Sequence, residues 1–144
     1  KINIICGFPN ETYYHLYQTL LFLMKVAITG CDDMSINQFS PYPGSPLFND
    51  LVKNSKLKLN TEYFEALSYY SSMTNAHSYC DNMTDKQIIF YKFVGTLVFY
   101  MTSFIIRPWK VIGILKNLYL NNETTRLEKT LLSYKKRFNI NNIL

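Results

Sequence analysis

The chain has 144 residues, of which 48% are hydrophobic and 17% are charged, and its net charge is +5. This length suits one domain of ordinary size, and the composition excludes disordered and collagen-like proteins. The three dispersed cysteines form no CxxC pair. That pattern excludes a disulfide framework and a zinc ribbon and favours a reducing, cytoplasmic compartment.

Residues 1–60 alternate between strand, helix and turn signals. A short apolar strand is predicted over Lys1–Cys6, and a Gly/Pro turn follows it. Asn10 is placed to cap a helix over Glu11–Ile28, whose leucines recur at helical spacing. Met34–Phe39 is predicted to be the second strand. Strand, helix and strand with short connections predict a parallel βαβ unit with a right-handed crossover.

Two stiff loops follow the two predicted strands. Gly7-Phe8-Pro9 comes after the first strand, and the segment Ser40–Pro46, with three prolines, comes after the second. The prolines fix φ, so we expect no regular structure in that segment. Both loops then lie at the carboxyl ends of parallel strands, where α/β proteins bind ligands. The alternative is that both are simply structured turns.

Residues 61–144 carry helical signals only. The basic residues of the last predicted helix are spread around it, so we expect no nucleic-acid contact. Pro108 is expected to end or kink the longest helix. The polar stretch between the first two helices carries no periodic signal, and the tail 139–144 is expected to be loose. The helices are predicted over Thr61–Ser71, Asp85–Ile106, Trp109–Leu120 and Thr124–Phe138.

The segment Ile88–Ile106 is close to the length that crosses a bilayer. Packing on a protein core, spanning a membrane and lying in the membrane interface are the three alternatives. Lys92 counts against spanning, although it lies near one end and can extend toward the surface. Interfacial docking would use aromatic side chains and the basic flanks. These aromatic residues are Phe90, Phe93, Phe99, Tyr100 and Trp109.

Signals for other chemistry are weak. His15 and His77 lie near no nucleophile elbow, and His77 with Cys80 provides too few ligands for a metal. The sequence has no HExxH, P-loop or GxGxxG motif.

Two phrases together point to a known family. The run from Ile4 to Thr12 contains "GFPNET", and the run from Asn37 to Phe48 contains "PYPGSPLF". In this order and at this spacing they resemble the late part of radical S-adenosylmethionine (SAM) enzymes. The likeness is greatest to the group with an upstream cobalamin-binding domain, such as the anaerobic magnesium-protoporphyrin ester cyclase, where the phrases read like "GFPGET" and "PYPGTPLY".

The resemblance implies an α/β fold class. Residues 1–60 would be the last strands, the fifth and sixth, of a partial TIM-type radical SAM barrel, and residues 61–144 an all-helical carboxyl-terminal extension. On one side of the adenine of SAM it places Ile5, Gly7 and Phe8, with Glu11 steadying their loop. The residues that would close the other side are Phe39, Ser40 and Pro41.

The family's CxxxCxxC motif, which holds a 4Fe–4S cluster, does not occur in this sequence, and Cys6, Cys31 and Cys80 lack the spacing to replace it. A strand also begins at Ile2 with no lead-in. We therefore expect a carboxyl-terminal fragment that supplies part of the SAM wall and a substrate cap but is inactive alone. The cluster and cobalamin would belong to the full-length enzyme.

The aromatic content suggests an apolar or lipid-like small-molecule substrate, although aromatic stripes are more often core. A different hypothesis is a non-catalytic helical module that binds a membrane surface or a partner protein.

Overall fold

The computed structural model describes residues 1–141, apart from the side chains of Arg126 and residues 136–141. The elements, in chain order, are β1 (Ile2–Cys6), α1 (Tyr13–Thr29), β2 (Met34–Gln38), α2 (Pro46–Lys53), α3 (Thr61–Ser68), α4 (Asp85–Ile106), α5 (Trp109–Tyr119) and α6 (Arg126–Asn141).

The two strands form a parallel pair with α1 as the connection. Ile2 lies opposite Met34, and Cys6 lies opposite Gln38. The prediction of a parallel βαβ unit is confirmed, with β2 ending one residue earlier than expected. Whether this pair belongs to a TIM-type barrel stays a prediction.

Helix α1 begins later than predicted. Its cap is Thr12, whose Oγ1 accepts a hydrogen bond from the backbone N–H of His15 at 3.4 Å. The His15 Nδ1 accepts in return from the Thr12 N–H at 3.3 Å. The expectation that Asn10 caps the helix with Glu11 in its first turn is therefore wrong. A reciprocal side-chain cap at Thr12 satisfies two backbone donors that Asn10 would leave open.

The proline-rich segment does not stay irregular. Helix α2 begins at Pro46, with the Oγ of Ser45 accepting from the Phe48 N–H at 3.2 Å. Proline suits the first position of a helix because its φ is preset and its missing N–H has no partner there. The expectation of no regular structure through Pro46 is corrected at that residue. Phe48 and Leu51 of α2 then pack with Tyr63 and Tyr79 in a small second core.

The main core joins both sections of the chain. Helix α4 packs against α1 and β2, and Gly95 lets it approach closely. A Cβ at Gly95 would overlap Cδ1 of Ile36 and lie 3.4 Å from Leu23 Cδ1. The core residues are Cys6, Leu16, Leu23, Ala27, Met34, Ile36, Cys80, Met83, Ile88, Tyr91, Phe99 and Tyr100.

The two faces of the sheet differ in chemistry. Side chains alternate along a strand, so β1 and β2 direct one apolar set toward the helices. The opposite face carries Asn3 and Ile5 from β1 and Ser35 and Asn37 from β2. The Ser35 hydroxyl donates to Asn3 Oδ1 at 2.6 Å. A polar sheet face turned away from the covering helices is thus part of the fold.

Helix α4 is long and apolar enough, by length and composition, to cross a membrane, and it is the one such helix in the described part of the chain. Its inner face is nevertheless core. Lys92 is fully buried and its Nζ donates to the Ser72 carbonyl, so it does not extend toward the surface as the spanning alternative requires. Phe99 and Tyr100 are also buried, so they cannot make the contacts that the interfacial alternative gave them.

The last two helices are joined by a polar turn. Buried Glu128 accepts hydrogen bonds from the N–H groups of Thr124 and Thr125, both at 2.9 Å. The Asn117 side chain donates to the other carboxylate oxygen at 2.8 Å. The tail that was expected to be loose is helical through Asn141, and residues 142–144 lie outside the described residues.

Candidate functional site

The two loops predicted to share one edge of the sheet do meet there. The Phe39 N–H donates to the Cys6 carbonyl at 2.6 Å, which continues the strand pairing past β2. The rings of Phe8 and Phe39 follow, with centroids 4.8 Å apart and planes tilted by 35°. The carboxyl ends of both strands therefore carry one small aromatic surface.

A carboxylate holds the first loop. Gly7 has φ of +85°, a conformation that favours glycine. Oε2 of Glu11 accepts from the N–H groups of Gly7 and Phe8, the second at 3.2 Å. A Cβ at Gly7 would lie 3.0 Å from Cδ1 of Ile88, so α4 also passes close to this turn. The loop conformation is thus fixed by the Glu11 carboxylate and by the close packing of Ile88 against Gly7.

A segment that the sequence did not single out closes over this loop. We call residues 77–83 the cap segment. The N–H of Asp81 donates to the Pro9 carbonyl at 3.1 Å. The Asn82 amide and the Cys80 thiol both donate to the Glu11 carbonyl, at 2.9 and 3.3 Å. The polar stretch between α3 and α4 therefore covers part of the edge where the loops meet.

The aromatic surface extends into the cap segment. The rings of Phe39 and Tyr79 meet edge to face at 6.4 Å, and His77 packs on Tyr79 at 4.8 Å. Burial, with a smaller contribution from Tyr63, raises the pKa of Tyr79 to about 12. Tyr79 therefore stays protonated at neutral pH and is a hydrogen-bond donor rather than a base.

Only some of the site residues that the resemblance implies lie close together in the structure. Gly7, Phe8, Glu11 and Phe39 lie together as described. Ser40 and Pro41 are buried just beyond, where the Tyr63 hydroxyl donates to the Pro41 carbonyl at 2.8 Å. The role of this set toward SAM stays a prediction.

Ile5 faces an open groove that Phe8 of that set also lines. The groove has a volume of about 540 Å³, runs between β1 and α1, and is also lined by Phe8 and Phe22. The Ile2 N–H donates toward β2, to Asp33, so the backbone groups of Asn3 and Ile5 point the other way. In the described part of the chain no third strand pairs with that edge of β1.

Two buried polar atoms near the loops have no hydrogen-bond partner among the described residues. These are Oδ1 of Asn37 and Oγ of Ser40, on side chains that are 4% and 9% exposed. The Asn37 amide nitrogen is satisfied, because it donates to the Tyr70 hydroxyl at 3.3 Å. A buried polar atom without a partner is costly, and a ligand that completes the bond relieves that cost. Asn37 was not predicted as a site residue.

The cysteines do not converge. Cys6 donates to the Asn37 carbonyl at 3.5 Å, while Cys31 donates to the Asp33 carbonyl at 3.3 Å. The described residues contain no group of three His, Cys, Asp or Glu side chains that could hold a metal ion. The residues in hand therefore do not fit a three-thiolate iron–sulfur cluster.

The thiols should differ sharply in reactivity. Burial, reinforced by the Glu11 charge, raises the pKa of Cys6 to about 12. A rise from 9 to 12 lowers its thiolate fraction roughly a thousandfold, so we expect half-buried Cys31 to react first. Iodoacetamide at pH 8 followed by peptide mass spectrometry measures this. Equal labelling of Cys6 and Cys31 in the folded protein would contradict it, and labelling in urea is the control.

The site as a whole offers aromatic faces and hydrogen-bonding oxygens. Phe8 and Phe39 offer aromatic surface at this edge, while Tyr79 and the unpartnered oxygens of Asn37 and Ser40 are buried. Glu11 already accepts hydrogen bonds from the backbone, which suits a residue that positions the loop.

No family model matches this chain, and neither a curated protein nor a solved structure matches it.

Proposed function

We propose that this chain is the carboxyl-terminal part of a radical SAM enzyme of the cobalamin-dependent group. It contributes the wall around the adenine of SAM and a helical cap over the substrate mouth. The observation that carries the proposal is the meeting of the Gly7–Pro9 and Phe39–Pro41 loops at the carboxyl ends of two parallel strands. Enzymes with TIM-type barrels bind their substrates at that edge.

The chemistry of the sheet supports the same proposal. In a TIM-type barrel the helices cover one face of every strand, and the other face lines the interior. Here Cys6, Met34 and Ile36 of the helix-facing set are apolar, whereas the opposite face carries Asn3, Ser35 and Asn37 together with Ile5. A two-strand sheet with a free edge at β1 is compatible with further strands pairing there. The open groove beside Ile5 is the space such a strand would fill.

Within the proposal, each residue of the chain has a limited task. Phe8 and Phe39, whose rings are already in contact, form one aromatic wall against a single face of the adenine, and Ser40 with Asn37 supplies hydrogen bonds at its edge. Glu11 holds the Gly7 turn so that the backbone can approach the ring. SAM supplies, when bound to a reduced cluster, the radical that removes hydrogen from an unreactive carbon. The cluster ligands would come from residues outside this chain.

The first test is the nucleotide sequence upstream of the Lys1 codon. The proposal expects an open frame that encodes CxxxCxxC within roughly 100 to 200 residues, a span of barrel size. A stop or a start codon directly before Lys1 would overturn it and favour the non-catalytic helical module.

In the longer enzyme, Phe8→Ala is expected to raise the KM for SAM about tenfold, or about 1.4 kcal/mol, because one aromatic wall is lost. Release of 5′-deoxyadenosine under anaerobic reduction measures this. Phe64→Ala is the matched control, since Phe64 is exposed on α3 away from the loops. Equal KM values for both variants would remove Phe8 from the site.

A further inference from the structure

Helix α4 carries an apolar stripe on its outer side, opposite the core. Five large apolar residues recur every three or four positions, so they share one side of the helix. Four of them are more than half exposed, at 67% for Phe90, 56% for Phe93, 51% for Met101 and 75% for Ile105. The stripe consists of Phe90, Phe93, Leu97, Met101 and Ile105. Nothing in the described part of the chain covers it.

Helix α5 also exposes large apolar side chains. Within α5, whose residues are all described, no side chain is buried. Its exposed apolar residues Trp109, Ile112, Leu115 and Tyr119 are also spaced by three or four positions. We call these four residues and the five of the α4 stripe the α4–α5 apolar face.

The segment of the sequence that carries this face contains charged residues of one sign only. Residues 86–122 contain five basic residues and no acidic residue, whereas the rest of the chain contains ten of each. The whole net charge therefore comes from this segment. Lys86 lies four residues before Phe90, and Lys116 lies four residues after Ile112, so both are on the same sides of their helices as the apolar residues. Both lysines are exposed.

The other three basic groups of the segment are held by the fold. Lys92 and Arg107 donate to the carbonyls of Ser72 and Ala27, and Lys110 pairs with Asp32 at 2.5 Å. Arg107 and Lys110 attach the end of α4 and the start of α5 to the βαβ unit, and Lys92 attaches α4 to the stretch that follows α3. A spanning arrangement of α4 would pull Lys92 and the core face of the helix into hydrocarbon, which is costly.

Charge also argues against a second copy as the occupant. Two α4–α5 apolar faces brought together would place the exposed Lys86 and Lys116 of each copy against a segment, residues 86–122, that contains no acidic residue. An anionic bilayer surface supplies the missing opposite charge. Its headgroup boundary also accommodates tryptophan, tyrosine and phenylalanine, which make up four of the nine residues of the face.

We propose that the α4–α5 apolar face docks the protein on an anionic lipid surface, with α4 lying in the interface rather than crossing it. Phe90, Phe93 and Ile112 enter the boundary between headgroups and acyl chains. Lys86 and Lys116 contact lipid phosphates and carboxylates. This proposal stands apart from the enzymatic one, because the face lies on α4 and α5 and includes none of the residues proposed to contact SAM.

The chain contains its own probe, since Trp109 is the one tryptophan in the sequence and lies on the face. The 144-residue protein is titrated with vesicles of phosphatidylcholine alone or with about 30% phosphatidylserine. Docking predicts a blue shift of the emission with the anionic vesicles. Raising the salt from about 0.1 to 1 M should weaken it, because the Debye length falls from about 10 to 3 Å. Equal binding to both vesicles, or none, would overturn the proposal.

Two pairs of variants separate the face from the rest of the surface. Ile112→Ser is expected to weaken vesicle binding about tenfold, whereas Leu59→Ser, at 60% exposed against 70% for Ile112 and off the face, should not change it. The double variant Lys86→Gln with Lys116→Gln should weaken binding about thirtyfold, or fivefold for each lysine.

The control for the loss of positive charge is Lys53→Gln, because Lys53 is an exposed residue of α2 that lies off the face. Unchanged binding by Ile112→Ser would overturn the proposal. So would a salt-resistant dimer in sedimentation velocity that Ile112→Ser abolishes, because that result assigns the face to a second copy.

Discussion

Replacing Gly95 with valine is expected to lower the free energy of unfolding by about 3 kcal/mol. Even a single Cβ at this position overlaps Cδ1 of Ile36 and contacts Leu23 and Leu20 on α1. Ile36 is 2% exposed and lies in the packed core, so its side chain has little room to turn away. A branched side chain would therefore separate α4 from both β2 and α1. Urea unfolding followed by circular dichroism measures the loss.

Two further substitutions make this prediction specific. Gly113→Ala in α5, where no atom lies within 4 Å of the added Cβ, should stabilise the protein by up to about 1 kcal/mol through helix propensity alone. Gly95→Ala should instead destabilise it. Ile36→Val removes the overlapping Cδ1, so the double variant with Gly95→Ala should be more stable than the two single effects add up to. Strict additivity would contradict the close contact.

Glu128→Gln is expected to destabilise the α5–α6 connection by about 2 kcal/mol. The carboxylate accepts from the backbone of Thr124 and Thr125 and from the Asn117 amide, and the residue is 1% exposed. Glutamine can keep one neutral acceptor oxygen for the two backbone N–H groups, but its NH2 group then faces the Asn117 amide nitrogen, which is also a donor. Amide exchange of Thr124 and Thr125 should then be roughly thirtyfold faster.

The same carboxylate makes stability depend on pH. Burial alone would raise the pKa of Glu128, but the hydrogen bonds from Thr124, Asn117 and Thr125 hold it at about 2, below its usual 4.5. Its contribution is therefore complete above pH 4.5 and is lost as the pH falls from 4.5 toward 2. Glu128→Gln should lose this part of the acid dependence, while Glu65→Gln, exposed on α3, should keep it. Parallel acid profiles for the two variants would contradict the assignment.

Periodicity located the elements that bury one continuous face. The prediction for α4, Asp85–Ile106, agrees with the structure at both ends because Thr84 caps it and Pro108 follows it. The parallel pairing of β1 and β2 likewise follows from two short apolar runs joined by one helix. Where a helix cap depends on a reciprocal bond, as at Thr12 and His15, composition alone placed the start too early.

The parts that sequence reasoning missed depend on contacts distant in the chain. The cap segment is held in place by hydrogen bonds from Asn82 and Cys80 to the backbone carbonyl of Glu11. Because every residue has a backbone carbonyl, the residue types give no signal for this contact. Asn37 became a candidate site residue only in the structure, where every residue of β2 is buried and its side-chain oxygen therefore has no access to water. The loops that make the candidate site were predicted from their place after two parallel strands, and the family resemblance added roles for their residues. The polar sheet face emerged only from the alternation along the paired strands.

The dependence of the βαβ unit on α4 has a consequence for synthesis. The ribosome completes α1 and β2 long before Ile106, and their apolar sides are packed by α4. At about 5–20 residues per second, the interval between Thr29 and Ile106 lasts roughly 4 to 15 s. During that time the nascent chain presents a helix and a strand edge with no partner. We therefore expect a holding chaperone to engage this chain during translation and to leave once α4 has docked.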